Sequence, residues 1–258
     1  MWVEGGPAFE LLGEGPPRPF LFTAEHAGAL LPPGMSLAPG EQHLLERHWG
    51  IDLGVRWVTE ALVDTLGGVA VVGLYSRLFL DLNRGELEPS LCPELIEGRP
   101  LSINVGITPE ERRRRVEFCH HPYHQAIDHE LRLARVKGIN PILMSLHSFT
   151  PEPLGGIPRE FDIGVLFDDF EGEARALALE LSRVGFRVRL NEPYSGRVGL
   201  IYAARRHGHN LAITYLELEI NQALLTSAGD AVAVAGRVAL GLENWYRSEN
   251  CEKSGATQ

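Results

Sequence analysis

Short apolar runs alternate with helical patterns along most of this 258-residue chain. Apolar runs of strand length bounded by turn residues indicate buried strands, and apolar positions three and four residues apart indicate helices. This alternation predicts an α/β domain with a mostly parallel, mixed central sheet flanked by helices. Strand-like runs occur at 19–24, 69–74, 78–82, 142–146, 161–167, 186–190 and 211–220, and helical patterns at 41–66 (interrupted near Gly50), 171–184 and 228–245.

One helix start is marked clearly by its residue types. Thr108, Pro109 and Glu111 supply a capping hydroxyl, a first-turn proline and a capping-box glutamate. The run Arg112–Arg115 follows, and its pairing with glutamates four residues earlier favours a solvated helix face over a basic patch. Pro122 then predicts a break or kink before a second amphipathic helix.

The chain length suits one large domain or two small ones. The sequence contains no internal repeat and no long low-complexity linker. We therefore predict a single domain over residues 1–248. The polar residues 249–258 are expected to form a flexible tail.

Charge and cysteine content narrow the possible partners and compartment. With 34 acidic and 24 basic side chains, the formal charge is −10, so the average surface repels phosphate and nucleic acid is not expected as a partner. No apolar run is long enough to span a membrane. The first residues lack the regions of a signal peptide, and three cysteines without a zinc-thiolate spacing indicate reduced thiols, which together favour the cytoplasm.

Chemically capable side chains stand where four of the apolar runs end. They are, in chain order, Glu25-His26, Asn83-Arg84, His147 and Glu219. In open α/β sheets, ligands bind in a crevice outside the carboxyl ends of the strands. Each residue alone is more often a packing or capping group, but their joint placement predicts a crevice that serves either a metal hydrolase or a binding protein.

Two glutamates share one face of the last predicted strand. Glu217 and Glu219 alternate with leucines, so both point to the same side, with Glu219 nearer the strand end. Glu217 lies one pleat deeper. A buried carboxylate needs a partner, and we expect Glu217 to hold an arginine or to support another site residue.

Other histidines are weaker metal candidates. His120 and His124 have the i,i+4 spacing of a helical pair, but Pro122 stands between them, so packing and capping are favoured. His207 and His209 flank a glycine in a predicted turn.

Several motifs resemble the N-formylglutamate amidohydrolase family, in its predicted branch. They follow the family's order along most of the chain: Glu25-His26-Ala27-Gly28, His48-Trp49-Gly50-Ile51-Asp52-Leu53-Gly54, Ser76-Arg77-Leu78-Phe79-Leu80-Asp81-Leu82-Asn83-Arg84, His121-Pro122-Tyr123-His124, His147-Ser148-Phe149 and Leu218-Glu219-Ile220. The Ser-Arg…Asp-x-Asn-Arg block is the most specific. That family is similar to the zinc carboxypeptidases, which share this block, a His-Ser-aromatic motif and a final strand glutamate.

The resemblance implies a phosphorylase/hydrolase-like fold and one zinc ion per chain. It implies His26 and His147 as metal ligands and Glu219 as catalytic base. The third ligand is open because the carboxypeptidase motif His-x-x-Glu is not met after His26. Asp52 is the first choice, since a Trp-x-x-Asp-like stretch recurs in the family, and Glu25 is the alternative.

The resemblance also indicates how a substrate would be held. Arg77 is expected to stabilise the oxyanion, and Asn83 and Arg84 to bind a substrate carboxylate. Asp81 is expected to position these residues. Where members of this branch often carry an arginine, this chain has Asn221, which leaves the substrate specificity open.

Together these implications favour a zinc-dependent amidohydrolase that cleaves the amide of an N-acyl amino acid such as N-formylglutamate. The expected partner is a small anionic N-acyl amino acid or a short peptide, and the oligomeric state is left open. The alternatives are a hydrolase like the zinc carboxypeptidases or peptidoglycan amidases, an aspartoacylase-like deacylase, and a non-catalytic binding module that has lost the metal.

Overall fold

The computed structural model describes residues 2–14, 18–153 and 155–255, with side chains described as far as residue 249. The strands are β1 (Phe9–Leu12), β2 (Phe20–Ala24), β3 (Val69–Gly73), β4 (Leu95–Ile96), β5 (Arg99–Pro100), β6 (Ile142–Phe149), β7 (Ile163–Leu166), β8 (Val188–Leu190) and β9 (Tyr215–Asn221). The α-helices are α1 (Val55–Leu66), α2 (Pro109–Arg115), α3 (His121–Val136), α4 (Glu171–Arg183), α5 (Tyr202–Leu211) and α6 (Ala228–Gly255).

Seven strands form one mixed sheet in the order β1-β3-β2-β6-β9-β7-β8. The central strands β3, β2, β6 and β9 are parallel to one another, whereas β1 and β7 run antiparallel to their neighbours β3 and β9. This arrangement confirms the prediction of a mostly parallel, mixed sheet flanked by helices. The short strands β4 and β5 form a separate antiparallel pair.

The two faces of the sheet differ in how apolar their strands are. On the face covered by α1, α4 and α6, alternate residues of the central strands are apolar, as in Phe22, Leu146 and Leu218, up to Ser148 near the end of β6. On the face covered by α3 and α5, the same strands begin with apolar residues, such as Leu143 and Tyr215. These strands become polar towards their carboxyl ends, so the polar groups collect at one edge of the sheet.

The predicted strand at 78–82 is wrong, because these residues form buried turns after β3. Ser76 starts the reversal: its backbone oxygen accepts from Phe79 N at 2.9 Å, and its hydroxyl accepts from Leu78 N at 3.2 Å. A serine that binds the following backbone in this way favours a turn over a ladder. The leucines are apolar because the turn is packed inside the domain.

The predicted helix start at Thr108 is confirmed, since the Thr108 hydroxyl accepts from Glu111 N at 3.1 Å. The expected break at Pro122 does not occur. Instead, a π-helical turn at Val116–His120 joins α2 to α3. The predicted solvated face is also wrong at Arg115, which is buried and bonds the Phe79 and Ile103 backbone oxygens.

Two further segments differ from the sequence predictions or extend beyond them. His207 and His209 lie in α5 rather than in a turn. The glycine between them allows close packing of the helix, since a Cβ at Gly208 would lie 2.0 Å from the Tyr215 ring. Helix α6 continues past residue 248 to Gly255, and residues 256–258 lie outside the described part of the chain. The flexibility of a tail at 249–258 stays a prediction. Among the described helices, none combines the length and apolar character needed to cross a membrane.

Candidate metal centre

Three side chains from distant parts of the sequence meet at the polar edge of the sheet. His26 lies in a turn that begins at Glu25, directly after β2, and His147 lies near the end of β6. Asp52 precedes α1 and is held beside His26 by a backbone bond from Asp52 N to His26 O of 2.9 Å. All three are buried. The structure therefore brings together the first-choice ligand set predicted from the sequence.

The facing atoms of this group form a small triangle. The Nδ1 atoms of His26 and His147 are 3.1 Å apart, and Asp52 Oδ2 lies 2.9 Å from His147 Nδ1 and 3.6 Å from His26 Nδ1. Ligands of a tetrahedral zinc ion with bonds of about 2.0–2.1 Å are separated by roughly 3.3 Å. Two imidazoles and a carboxylate are also the donor types of hydrolytic zinc sites. The residues present therefore fit such an ion, and no other described group of histidine, cysteine and acidic residues is this compact.

Each histidine is held from behind by a carboxylate. His26 Nε2 lies 2.6 Å from Asp81 Oδ1, and His147 Nε2 lies 3.1 Å from Glu25 Oε2. A carboxylate that accepts from one ring nitrogen leaves the lone pair of the other nitrogen free for a metal. The alternative third ligand Glu25 thus lies on the far side of the His147 ring from the triangle.

Electrostatics keep the supporting carboxylates ionised. Burial alone would raise the pKa of Glu25, but hydrogen bonds from His147 and Ser145 lower it to about 2. Burial would also raise the pKa values of Asp52 and Asp81, but the imidazole of His26 beside both groups holds them below the ordinary aspartate value.

Two carboxyl groups of β9 have pKa values that are shifted in the opposite direction. Burial raises the pKa of Glu217 to about 7 and raises that of Glu219 well above its ordinary value. Glu219 pairs in register with His147 across the β6–β9 ladder, and its Oε2 is buried with no hydrogen-bond partner in the described part of the chain. A buried carboxyl oxygen without a partner is costly unless it serves a ligand or the reaction.

The triangle and Glu219 line a cavity of about 420 Å³. This volume lies within the usual range for small-molecule sites. Arg77 and Arg84 also line the cavity. Arg77 contacts Asp52 at 3.3 Å and Asp81 at 3.1 Å, whereas the Nε of Arg84 is 4.0 Å from Asp81.

Asn83 is not among the described residues of the cavity wall. Its Oδ1 accepts from Ala203 N at 2.9 Å, and its Nδ2 lies 3.3 Å from Glu217 Oε2. Glu217 was expected to hold an arginine or to support another site residue. In the structure, its partner is the side-chain amide of Asn83. The structure gives Asn83 a supporting position behind His147 rather than a surface open to substrate.

Asn221 ends β9 and also faces away from the cavity. Its Nδ2 donates to Phe161 O at 2.8 Å, and its Oδ1 accepts from Ala223 N at 2.9 Å. The outer wall of the cavity is instead built from apolar groups that the sequence did not single out as site residues, namely Trp49, Pro93, Leu95, Ile96, Tyr194 and Leu200. Leu95 and Ile96 form β4 within the segment 85–109, which has four prolines and three glycines. Long irregular segments of this kind often form site walls, and this is the one sequence signal that could have indicated these residues.

Comparisons with known proteins find matches to both the sequence and the fold. The sequence model of the N-formylglutamate amidohydrolase family matches residues 18–226. A gene product from Agrobacterium tumefaciens has a similar structure, with a TM-score of 0.86 and 26% identity over 95% of this chain and 97% of that one. An N-formylglutamate amidohydrolase from Ralstonia eutropha gives a TM-score of 0.74 and 20% identity over 94% of this chain and 98% of that one. Among curated proteins, none matches the sequence significantly.

Proposed function

This chain belongs to the N-formylglutamate amidohydrolase family, and we propose that it is a zinc-dependent enzyme that cleaves the amide of an N-acyl amino acid such as N-formylglutamate. The observation that carries the proposal is the meeting of a compact His26–Asp52–His147 triangle with the unpartnered oxygen of Glu219 at one cavity. A metal site and a free base side by side are the two parts that hydrolysis of an amide needs.

His26, Asp52 and His147 would hold the ion through their facing Nδ1 and Oδ2 atoms. When bound, zinc supplies a Lewis acid that polarises the amide carbonyl and lowers the pKa of water. Asp81 and Glu25 orient the two imidazoles from behind. This donor set argues against the alternative of a binding module that has lost its metal.

Glu219 is the proposed general base. Its carboxylate accepts a proton from the attacking water as the new C–O bond forms, and it gives that proton to the leaving nitrogen as the C–N bond breaks. A pKa raised by burial makes the carboxyl a better acceptor and keeps the proton available for the second step. The products are the carboxylate of the acyl group and a free amino acid.

The two arginines give the anionic substrate a local positive charge in an acidic protein. Arg84 is the proposed ligand of the substrate carboxylate, because it lines the cavity and its closest carboxylate is 4.0 Å away. Arg77, fixed between Asp52 and Asp81, is the proposed stabiliser of the oxyanion. Buried free thiols at Cys92 and Cys119 support a reducing, cytoplasmic setting for the reaction.

The test begins with the metal content of purified wild-type protein and of His147→Ala. The control is His209→Ala, which removes an exposed histidine paired with Asp169. We expect about one zinc per chain in the wild type and the control and none in His147→Ala. Formate release from N-formylglutamate is then measured on the zinc-loaded protein.

The outcomes separate the alternatives. Zinc binding with cleavage of peptides but not of N-formyl amino acids would support a carboxypeptidase-like or amidase-like enzyme. Failure of the wild type to take up zinc from a zinc-containing buffer would refute the metal mechanism and leave a binding protein.

A further inference from the structure

The motif His121-Pro122-Tyr123-His124 has no part in the proposed reaction, although it lies at the start of α3 and packs beneath the metal centre. Tyr123 and His124 are fully buried. Their polar atoms are directed at the two segments that carry site residues, the β2 turn and the loop at 82–84.

Tyr123 acts on the first of these segments. Its hydroxyl donates to Glu25 Oε1 at 3.0 Å, and the other oxygen of Glu25 accepts from Ser145 at 2.8 Å and lies 3.1 Å from His147 Nε2. The carboxylate of Glu25 is thus held at both oxygens. With an ion bound, this position would keep the proton of His147 on Nε2 and leave the Nδ1 lone pair to face the ion held with His26 and Asp52.

His124 acts on the second segment. Its Nε2 lies 3.1 Å from the backbone oxygen of Leu82. One turn earlier, His120 Nε2 lies 3.0 Å from the backbone oxygen of Arg84. A carbonyl can only accept, so both imidazoles donate through Nε2. Together they hold the carbonyls on both sides of Asn83 and anchor the backbone that carries Arg84.

A buried chain of groups fixes the tautomer of His124. Because Nε2 carries its proton, neutral His124 must accept at Nδ1, where His207 Nε2 lies 2.8 Å away. His207 then donates through Nε2, and its Nδ1 lies 2.7 Å from Asp128 Oδ1. The hydrogen bond from His207 keeps the pKa of Asp128 below its ordinary value, so this carboxylate accepts at the far end of the chain of groups.

We propose that Tyr123 and His124 are positioning residues with separate targets. Tyr123 acts through Glu25 on the metal ligand His147, and His124 acts through the Leu82 carbonyl on the loop that presents Arg84 to substrate. This inference rests on the proposed function, since it assigns a metal role to His147 and a substrate role to Arg84. In this proposal, α3 supports both the metal-binding part and the substrate-binding part of the site.

The first test replaces Tyr123 with Phe, which removes only the hydroxyl. The control is Tyr75→Phe, which removes the hydroxyl of another buried tyrosine, one that donates to Gly5 O at 2.7 Å away from the cavity. Zinc dissociation constants are measured by competition with a chelator. Loss of a group that orients a metal-bound histidine weakens binding roughly 10–100-fold, so we expect this change in Tyr123→Phe and none in Tyr75→Phe.

A second readout does not depend on the zinc dissociation constant. Nitrogen-15 NMR of the histidine rings in zinc-loaded protein reports whether His147 keeps its proton on Nε2. Equal zinc affinity and an unchanged His147 signal in Tyr123→Phe would overturn the role of Tyr123. Failure of the wild type to bind zinc would instead refute the proposed function.

The second test compares His124→Met with His124→Gln. Methionine fills the volume without a donor, whereas glutamine can still donate to Leu82 O. We expect His124→Met to raise the KM for N-formylglutamate roughly tenfold or more with zinc affinity unchanged, because small displacements of a binding residue are costly. We expect His124→Gln to restore most of the loss. A folded His124→Met with wild-type KM, or a KM raised equally in both variants, would overturn this part.

Discussion

Replacement of Glu219 by Gln isolates the base from the metal site. Glutamine has nearly the same shape, and Glu219 is not part of the His26–Asp52–His147 triangle, so zinc binding should persist. Among the described residues of the cavity, the change removes the one carboxyl group whose oxygen is buried without a partner. It therefore tests the proton transfer and leaves the rest of the site in place.

The size of the effect follows from the proposed role. A positioned general acid–base group contributes about 10²–10⁴ in rate, which corresponds to roughly 3–5 kcal/mol of transition-state free energy. The loss should appear in kcat, because Arg84 and the cavity walls that bind the ground state are unchanged. In metal-free buffer the variant should unfold at about the same temperature as the wild type, because glutamine keeps the shape of the side chain and leaves one buried polar group unpaired, as the carboxyl does.

The assay is formate release from N-formylglutamate at equal zinc occupancy, checked by metal analysis of each sample. Glu217→Gln is a closely matched control, because Glu217 lies on the same face of β9 as Glu219 but its carboxyl group is held by Asn83. A zinc-loaded Glu219→Gln that keeps its kcat within tenfold of the wild type would refute the assignment of Glu219 as base.

Four other predictions follow from the same contacts. Zinc at a hundredfold excess over its dissociation constant should stabilise the protein by about 2.7 kcal/mol and raise Tm by roughly 5–10 °C in scanning calorimetry, with no rise in His26→Ala. Arg84→Ala should raise KM for the anionic substrate at least tenfold with little change in zinc content, as steady-state kinetics would show. Burial lowers the pKa of His120 to about 4, so the unfolded chain binds more protons than the folded protein between pH 6.5 and 4. The free energy of unfolding should therefore fall by at most about 3 kcal/mol as the pH falls through this range. Urea titrations of metal-free His120→Gln should lack that part of the loss. Arg115→Met should cost about 3–5 kcal/mol in urea unfolding, because it removes the ionic partner of Glu111 and the donor to the oxygens of Phe79, Ile103 and Asn104, whereas exposed Arg113→Met should cost little.

The residues of the candidate site that stand at the ends of strands could be predicted from the sequence. His26, His147 and Glu219 follow or end buried parallel strands, and parallel strands deliver their carboxyl ends to one edge. Asp52 stands before a helix rather than after a strand. It could be chosen only through the resemblance to a family, because no periodic pattern reports which loop will fold over a crevice.

The errors have local physical causes. The run at 78–82 is as apolar as a strand, and burial of a turn produces the same composition as burial in a sheet. Strand β1 escaped prediction because its four residues lie at an edge and are mostly half-buried. Gly208 suggested a turn, but glycine also allows close helix packing, which only the position of Tyr215 reveals. Arg115 looked like a surface residue because the acceptors that bury it are backbone oxygens far away in the sequence.

The separation of the triangle's members along the chain has a consequence for how the protein folds. His26 and Asp52 lie in the same part of the chain, but His147 is 121 residues from His26 and 95 residues from Asp52, so the triangle closes only when distant segments meet. Closing such long loops is entropically costly and slow, and it requires that β2 and β6 have already paired. Zinc capture during refolding should therefore lag behind helix formation seen by circular dichroism. A metal-sensitive dye in the refolding buffer would then time the assembly of the central sheet.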